Sequence, residues 1–375
     1  MRINDHTALG AGWLGLFRLR RNKTKARQCL NHCVCDRVRS TRAISKQPPG
    51  LENPIKDKGH CKHFKQLYVL ISGIILGLLV FTGCATVSTK KWYQDAGGIP
   101  PKHELKAVPF YPQKAYQCGP ASLAMALGWS GIQIDPDSLT PQVYTPSRKG
   151  SLQPAMIAAA RRHGRVAYTI AGANALLSEI AAGHPVIVLQ NLGLSWIPVW
   201  HYAVVIGYDL NEGVVILHSG ITNQKITALR TFENTWSRGK HWGLVVLPPS
   251  RLPATAEVNS YVKAVVGLEK ARQWPAATEG YQTALNQWPR SFSAHMGLSN
   301  SLYAQGDLKS AEKVLRRTTN LFPNKGAAFN NLAQVLWKQG KKQEAKQAAR
   351  RAVMLGGPLV EQYQKTLHEI QADEP

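Results

Sequence analysis

A 34-residue period after Pro249 constrains this chain's fold more than any other feature. Ala277, Ala311 and Ala345 share that spacing, as do Ala284, Thr318 and Ala352, and Pro289 and Pro323. Alignment on the prolines puts Tyr261, His295 and Phe329 at one bulky position and Tyr281, Leu315 and Ala349 at another. A repeat of this length is one helix pair. Small residues recur because the paired helices approach closely, and about three pairs are needed to bury a continuous core. Residues 258–371 are therefore expected to form an all-α solenoid with a capping helix near 359–371; the alternative is an ordinary helical bundle.

The preceding region, residues 105–250, reads differently. CGPASLAMALGW (118–129) and LQPAMIAAARRHG (152–164) have the small and apolar content of buried helices, the second ended by Gly164. PVIVLQN (185–191), HYAVVIGYD (201–209), GVVILHSG (213–220) and GLVVLPP (243–249) are short β-rich runs divided by turn residues. Asp209 to Gly213 reads as a hairpin turn, with Asp209 serving it. Helices first and antiparallel strands after them predict an α+β domain.

Residues 67–80, LYVLISGIILGLLV, form an uncharged apolar run preceded by Lys62, His63 and Lys65 and followed by FTGC. The run is shorter than the roughly 20 residues that span a bilayer comfortably, and it has the basic and apolar regions of an export signal. FTGC resembles the bacterial lipobox, which implies a signal peptide over 62–83, lipid on Cys84 and a linker over 84–104. An uncleaved anchor is the alternative. Ala85 after the Cys implies release from the inner membrane, so the expected location is the cell envelope, at the outer membrane facing the periplasm. Residues 1–61 form a basic extension, read either as a frame extended upstream of a non-AUG start or as a cytoplasmic tail.

Charge alone suggests a nucleic-acid binder, at +24 overall. The excess is uneven: residues 1–65 hold 15 Lys or Arg against 4 Asp or Glu, leaving +13 for the rest. With no nucleic-acid motif, no nucleic-acid partner is expected. The cluster Cys29, His32, Cys33, Cys35 matches no familiar zinc spacing; no metal and no cofactor are expected.

Beyond Cys84, Cys118 is the only cysteine. A free Cys is usually a small buried hydrophobe, but this one opens a helix, and Pro120 fits a first helical turn. The helix dipole there favours the nucleophilic thiolate, which also needs a proton-transfer partner. Among His163, His184, His201, His218 and His241, only His201 opens a strong strand after a Trp- and Pro-bearing loop, which puts it at a sheet end.

VPFYPQKAYQCGPASLAM (108–125) and HYAVVIGYD (201–209), in this order, resemble the papain-like cysteine peptidases of the double-glycine leader peptidase group. The closer resemblance is to its lipoprotein branch with a tetratricopeptide C-terminus; the tetratricopeptide match covers about 258–357. The resemblance implies Cys118 as nucleophile, His201 as general base and Gln113 as oxyanion donor. Gln113 lies five residues before Cys118, where the transporter-fused leader peptidases have six. Where the family commonly has an Asp-Pro, this sequence has His218-Ser219-Gly220, so Ser219 or His218 is the possible third residue. The expectation is an α+β papain-like cysteine peptidase followed by an all-α tetratricopeptide solenoid. It would act on a peptide or protein substrate, recruit a protein partner through the repeats and meet the membrane through lipid on Cys84. The alternative is an inactive peptidase-fold binding module.

Overall fold

The computed structural model describes Trp92 and residues 98–373. The extension 1–61, the signal segment 62–83, Cys84 and most of the 84–104 linker lie outside the described residues. Among the described residues no helix is long and apolar enough to cross a membrane. Val87–Pro375 forms one compact unit.

Its first part is built on an antiparallel sheet. Strands β1 (Lys102–Glu104), β4 (Val166–Ala171), β5 (Val186–Asn191), β6 (Trp200–Asp209), β7 (Val214–Ser219), β8 (Thr222–Ala228) and β9 (Trp242–Leu247) run in the order β4-β9-β5-β6-β7-β8, with β1 also on β6. A second, two-stranded sheet joins β2 (Tyr144–Thr145) to β3 (Gly150–Ser151). Alternation along the strands sends Ile187, Val204, Ile206, Leu244 and Val246 to one face. There they meet α1 (Cys118–Trp129), α2 (Pro136–Val143) and α3 (Gln153–Arg162).

Val186, Val188, Val205 and Val245 point to the other face, against α4 (Ala173–Ala181) and α5 (Leu229–Ser237). The expected helices and four strands are present. Unanticipated were β1, β2, β3, β4, β8, α2, α4 and α5. Strand β8 reads TNQKITA and is an almost wholly exposed sheet edge, so it has no apolar alternation to reveal it. β1 takes the last residues of the segment read as linker, and Trp92, from the same segment, is buried with its indole N–H on Glu233 Oε2 at 3.1 Å. The segment is therefore part of the folded body at those two places.

The helical part follows the period. Pairs α6 (Val258–Lys270) and α7 (Trp274–Gln287), α8 (Phe292–Ala304) and α9 (Leu308–Leu321), and α10 (Gly326–Lys338) and α11 (Lys342–Leu355) precede a last helix α12 (Val360–Ala372). The turns inside the pairs place Arg272, Gly306 and Gly340, one period apart, in the left-handed region. At Gly297 a Cβ would stand 2.2 Å from the ring of Tyr281, which explains the small residue there. The solenoid is not a loose arm: Tyr261, Val265, Leu268 and Tyr281 join the same buried core as the sheet residues on the α4 side. Glu179 of α4 reinforces the junction. Its buried carboxylate accepts from the main chain of Ala254 (3.1 Å) and Thr255 (2.9 Å), from Thr255 Oγ1 (2.6 Å), and pairs with His184 Nδ1 (2.7 Å).

Candidate active site

Helix α1 is apolar all round because it is buried almost all round, Gly119 to Gly128 being enclosed. Its first residue, Cys118, is only partly covered. The approach to it is strained: Tyr116 sits at φ 62°, a left-handed conformation that a Tyr adopts at a cost. Gly119 is required by contact, since a Cβ there would lie 2.2 Å from Ser151 Oγ of β3.

Cys118 meets β6 at its start. The main-chain N–H groups of Tyr202, Gly119 and Cys118 itself act on the sulfur. Tyr202 directly follows His201, so Cys118 meets the start of the strand on which His201 stands, although the two are far apart in sequence. His201 Nε2 lies 2.9 Å from Ser219 Oγ. Among the described residues its Nδ1 takes no hydrogen bond, which leaves that nitrogen for proton transfer.

His218, the other candidate third residue, is placed elsewhere. Its Nε2 donates to Val108 O at 3.2 Å, its Nδ1 accepts from Gln224 N–H at 3.3 Å, and its ring packs on Phe110 at 5.3 Å. Nε2 thus holds the segment before Gln113, and Nδ1 holds the main chain of β8. Adjacent strand residues face opposite sides, so only Ser219 of the two reaches the imidazole. Asp209 holds the hairpin turn, accepting from Asn211 N–H (3.0 Å) and Glu212 N–H (3.1 Å) and pairing with Lys102 at 3.0 Å.

Gln113 departs from its expected place as an oxyanion donor. In the antiparallel register of β6 and β7, Val204 faces His218, so two residues further Tyr202 would face Gly220. That rung is missing, and the Gln113 carboxamide fills it. Nε2 donates to Tyr202 O at 3.2 Å, Oε1 accepts from Gly220 N–H at 3.1 Å, and Gln113 N–H donates to Gly220 O at 3.0 Å. The second Nε2 proton is directed to Ser122 Oγ, at 3.4 Å, one helical turn after Cys118. A flipped amide would set oxygen against oxygen, so the bonds fix its orientation. With both protons engaged, the Gln113 carboxamide bridges Tyr202 and Gly220 in this state and holds the sheet end open.

The electrostatics also differ from the expected thiolate. Burial pushes the Cys118 thiol up, and the nearby N–H groups offset this only in part. Burial, aided by the charge of Lys225, pushes His201 down to about 4. With no carboxylate beside the imidazole, the pair rests neutral at pH 7. Desolvation opposes the helix-end effect that favours a thiolate at Cys118. Ser122 could have been found from its i+4 spacing to Cys118; the Tyr202 and Gly220 main chain could not. Among the described residues no group of three or more His, Cys, Asp or Glu could hold a metal ion.

The Peptidase_C39 like family matches residues 105–242, and the tetratricopeptide repeat family matches 263–325 and 299–358. No curated protein matches. A solved structure described as a C39-like peptidase from Bacillus anthracis is 20% identical, over 39% of this chain and 97% of its own, with a TM-score of 0.35. The Yersinia enterocolitica type III secretion chaperone SycD, in complex with a peptide of the translocator YopD, is 14% identical over 32% of this chain and 95% of its own, with a TM-score of 0.30. With the family match spanning helix α1, which opens on Cys118, and the sheet that carries His201, and the repeat match spanning the helix pairs, residues 105–242 form a Peptidase_C39-like domain that is followed by C-terminal tetratricopeptide repeats.

Proposed function

We propose that this protein is a cysteine peptidase of the cell envelope, anchored by lipid on Cys84, that hydrolyses a peptide or amide bond through Cys118 and His201. The observation that carries the reading is the placement of Cys118 at a helix start beside the first residues of β6, where His201 keeps Nδ1 open. Because the pair rests neutral, His201 takes the thiol proton as sulfur adds to the carbonyl. The proton then goes to the leaving amine as the C–N bond breaks. Water, deprotonated by the same imidazole, hydrolyses the thioester, releasing the acid and restoring the thiol.

Labelling with an iodoacetamide-type probe, mapped to the Cys118 peptide, tests this. Fast labelling in wild type that is lost in Cys118→Ala and strongly slowed in His201→Ala is expected. The anchor is tested by a palmitate analogue, whose incorporation should vanish in Cys84→Ser. We assign the repeats to docking of a protein partner on their concave face, tested by pull-down with and without residues 258–371.

The second reading, an inactive binding module, is favoured by one observation: the buried neutral pair with a hydroxyl where a carboxylate would stabilise an imidazolium. In that case Cys118 labels no faster than an ordinary buried thiol, and His201→Ala leaves the rate unchanged.

A further inference from the structure

Immediately before His201 the chain makes a loop, Leu192 to Val199, that has no place in the chemistry above. Leu192, Leu194, Trp196, Ile197, Val199 and the following Trp200 are all exposed, with Trp196 at 76% and Ile197 at 64%. Large apolar side chains clustered in water mark an interaction surface. This loop is also stiff. Asn191 Oδ1 accepts from Gly193 N–H (3.0 Å) and Val199 N–H (2.9 Å), and its Nδ2 donates to Leu194 O (3.3 Å). Leu192 N–H donates to Val199 O (2.8 Å), and Arg238 Nη1 donates to Gly193 O (2.7 Å). At Gly193 a Cβ would lie 2.3 Å from Ile197 O, so the loop closes only on glycine.

Two features select the occupant. First, many main-chain groups of the loop are satisfied within it and Pro198 has no N–H to satisfy, whereas a protein interface draws on hydrogen bonds to its partner. A segment entering hydrocarbon must satisfy its own backbone. Second, the strand segments that flank it in the chain carry no acidic residue. From Val186 to Tyr208 and from Gly213 to Phe232 there is no Asp or Glu. Arg238 braces the loop base, exposed Lys240 follows two residues later, and exposed Lys225 acts electrostatically on His201 beside the loop. An uncharged tip bearing Trp, with cations behind it, has the chemistry of an anionic bilayer interface, where Trp prefers the headgroup level and basic residues meet anionic lipid.

We propose that the Leu192–Val199 loop inserts into the surface of an anionic bilayer and sets the cleft beside His201 facing the membrane. The test uses residues 87–375, the compact unit, so that neither the 67–80 run nor lipid on Cys84 contributes. Co-sedimentation with phosphatidylethanolamine vesicles containing phosphatidylglycerol should pellet the wild type. Trp196→Ser combined with Ile197→Ser should weaken the partitioning by at least about tenfold. Lys225→Gln and Lys240→Gln should each weaken it by about fivefold on anionic vesicles only. Cys118→Ala should bind like wild type, which separates this proposal from the catalytic reading. All four substituted loop and lysine sites are exposed, and unchanged circular dichroism checks their folding.

Absence of vesicle binding by the wild type, or equal binding by the loop variant, overturns the proposal. So does a loop variant that binds vesicles normally but loses a dimer in light scattering, or has a raised KM for apolar peptides; the occupant is then a second copy or the substrate.

Discussion

The Nε2 of His201 and the Oγ of Ser219 face each other at 2.9 Å across the open end of the β6–β7 ladder. A hydroxyl in that position orients the ring, but it carries no charge to stabilise an imidazolium. Ser219→Ala should therefore slow Cys118 alkylation only about five- to tenfold, the worth of one ordinary hydrogen bond near 1 kcal/mol. His201→Ala should slow it far more, by about a hundred- to ten-thousand-fold. Ser219→Asp should raise the imidazole pKa and restore or exceed the wild-type rate near neutral pH. A stopped-flow alkylation series on the four proteins measures all of this.

The pH dependence follows from the same burial. His201 titrates at about 4 in the folded chain, so the acid limb of the alkylation profile should fall near pH 4, below the usual histidine range. At the alkaline end the rate should rise again only above the ordinary thiol range, because burial raises Cys118. His201→Ala should abolish the neutral plateau. Stability carries the matching sign: the unfolded imidazole, near 6.5, binds its proton before the folded one, so this contribution is complete above about pH 6.5 and declines on acidification towards 4. Urea unfolding of wild type and His201→Ala at pH 7 and pH 5 should show a smaller loss on acidification in the variant.

The bridge at Gln113 gives a sharp contrast between two substitutions. Gln113→Glu turns a donor into an acceptor against Tyr202 O, leaving two oxygens opposed and a charge partly buried. It should cost about 1–3 kcal/mol in urea unfolding and suppress Cys118 labelling. Gln113→Asn keeps the amide one carbon short and should restore stability only in part. If Gln113→Glu unfolds like wild type and labels normally, the amide does not hold the sheet end open.

The junction between the two parts should fail through Glu179. Burial alone would raise its carboxyl, but hydrogen bonds from His184, Thr255 and Ala254 outweigh it and hold the group below its ordinary range. Its stabilisation is therefore present above about pH 4.5 and lost on acidification. Glu179→Ala leaves the Ala254 and Thr255 donors without their acceptor and should destabilise by about 3 kcal/mol. Since the repeats and the sheet share one core, denaturation followed by circular dichroism and by Trp fluorescence should move together in wild type and in the variant.

The segments with a regular local pattern were legible in the sequence. The 34-residue period set the helix pairs, and the turn residues at 209–213 set the β6–β7 hairpin, because each depends on neighbours a few residues apart. Cys118 and His201 could be nominated for the same reason: one opens a helix and the other precedes a strand. The role of Gln113, the choice of Ser219 over His218 and the neutral state of the pair were decided only in the tertiary structure. Gln113 meets Tyr202 and Gly220 across 89 and 107 residues of chain, through a rung left vacant by strand register. Ser219 was selected by the alternation of β7 relative to a strand paired with it. The titration of the pair depends on how much water the packed sheet and helices exclude. Register, facing and desolvation are properties of segments brought together from afar, and a local residue pattern carries none of them.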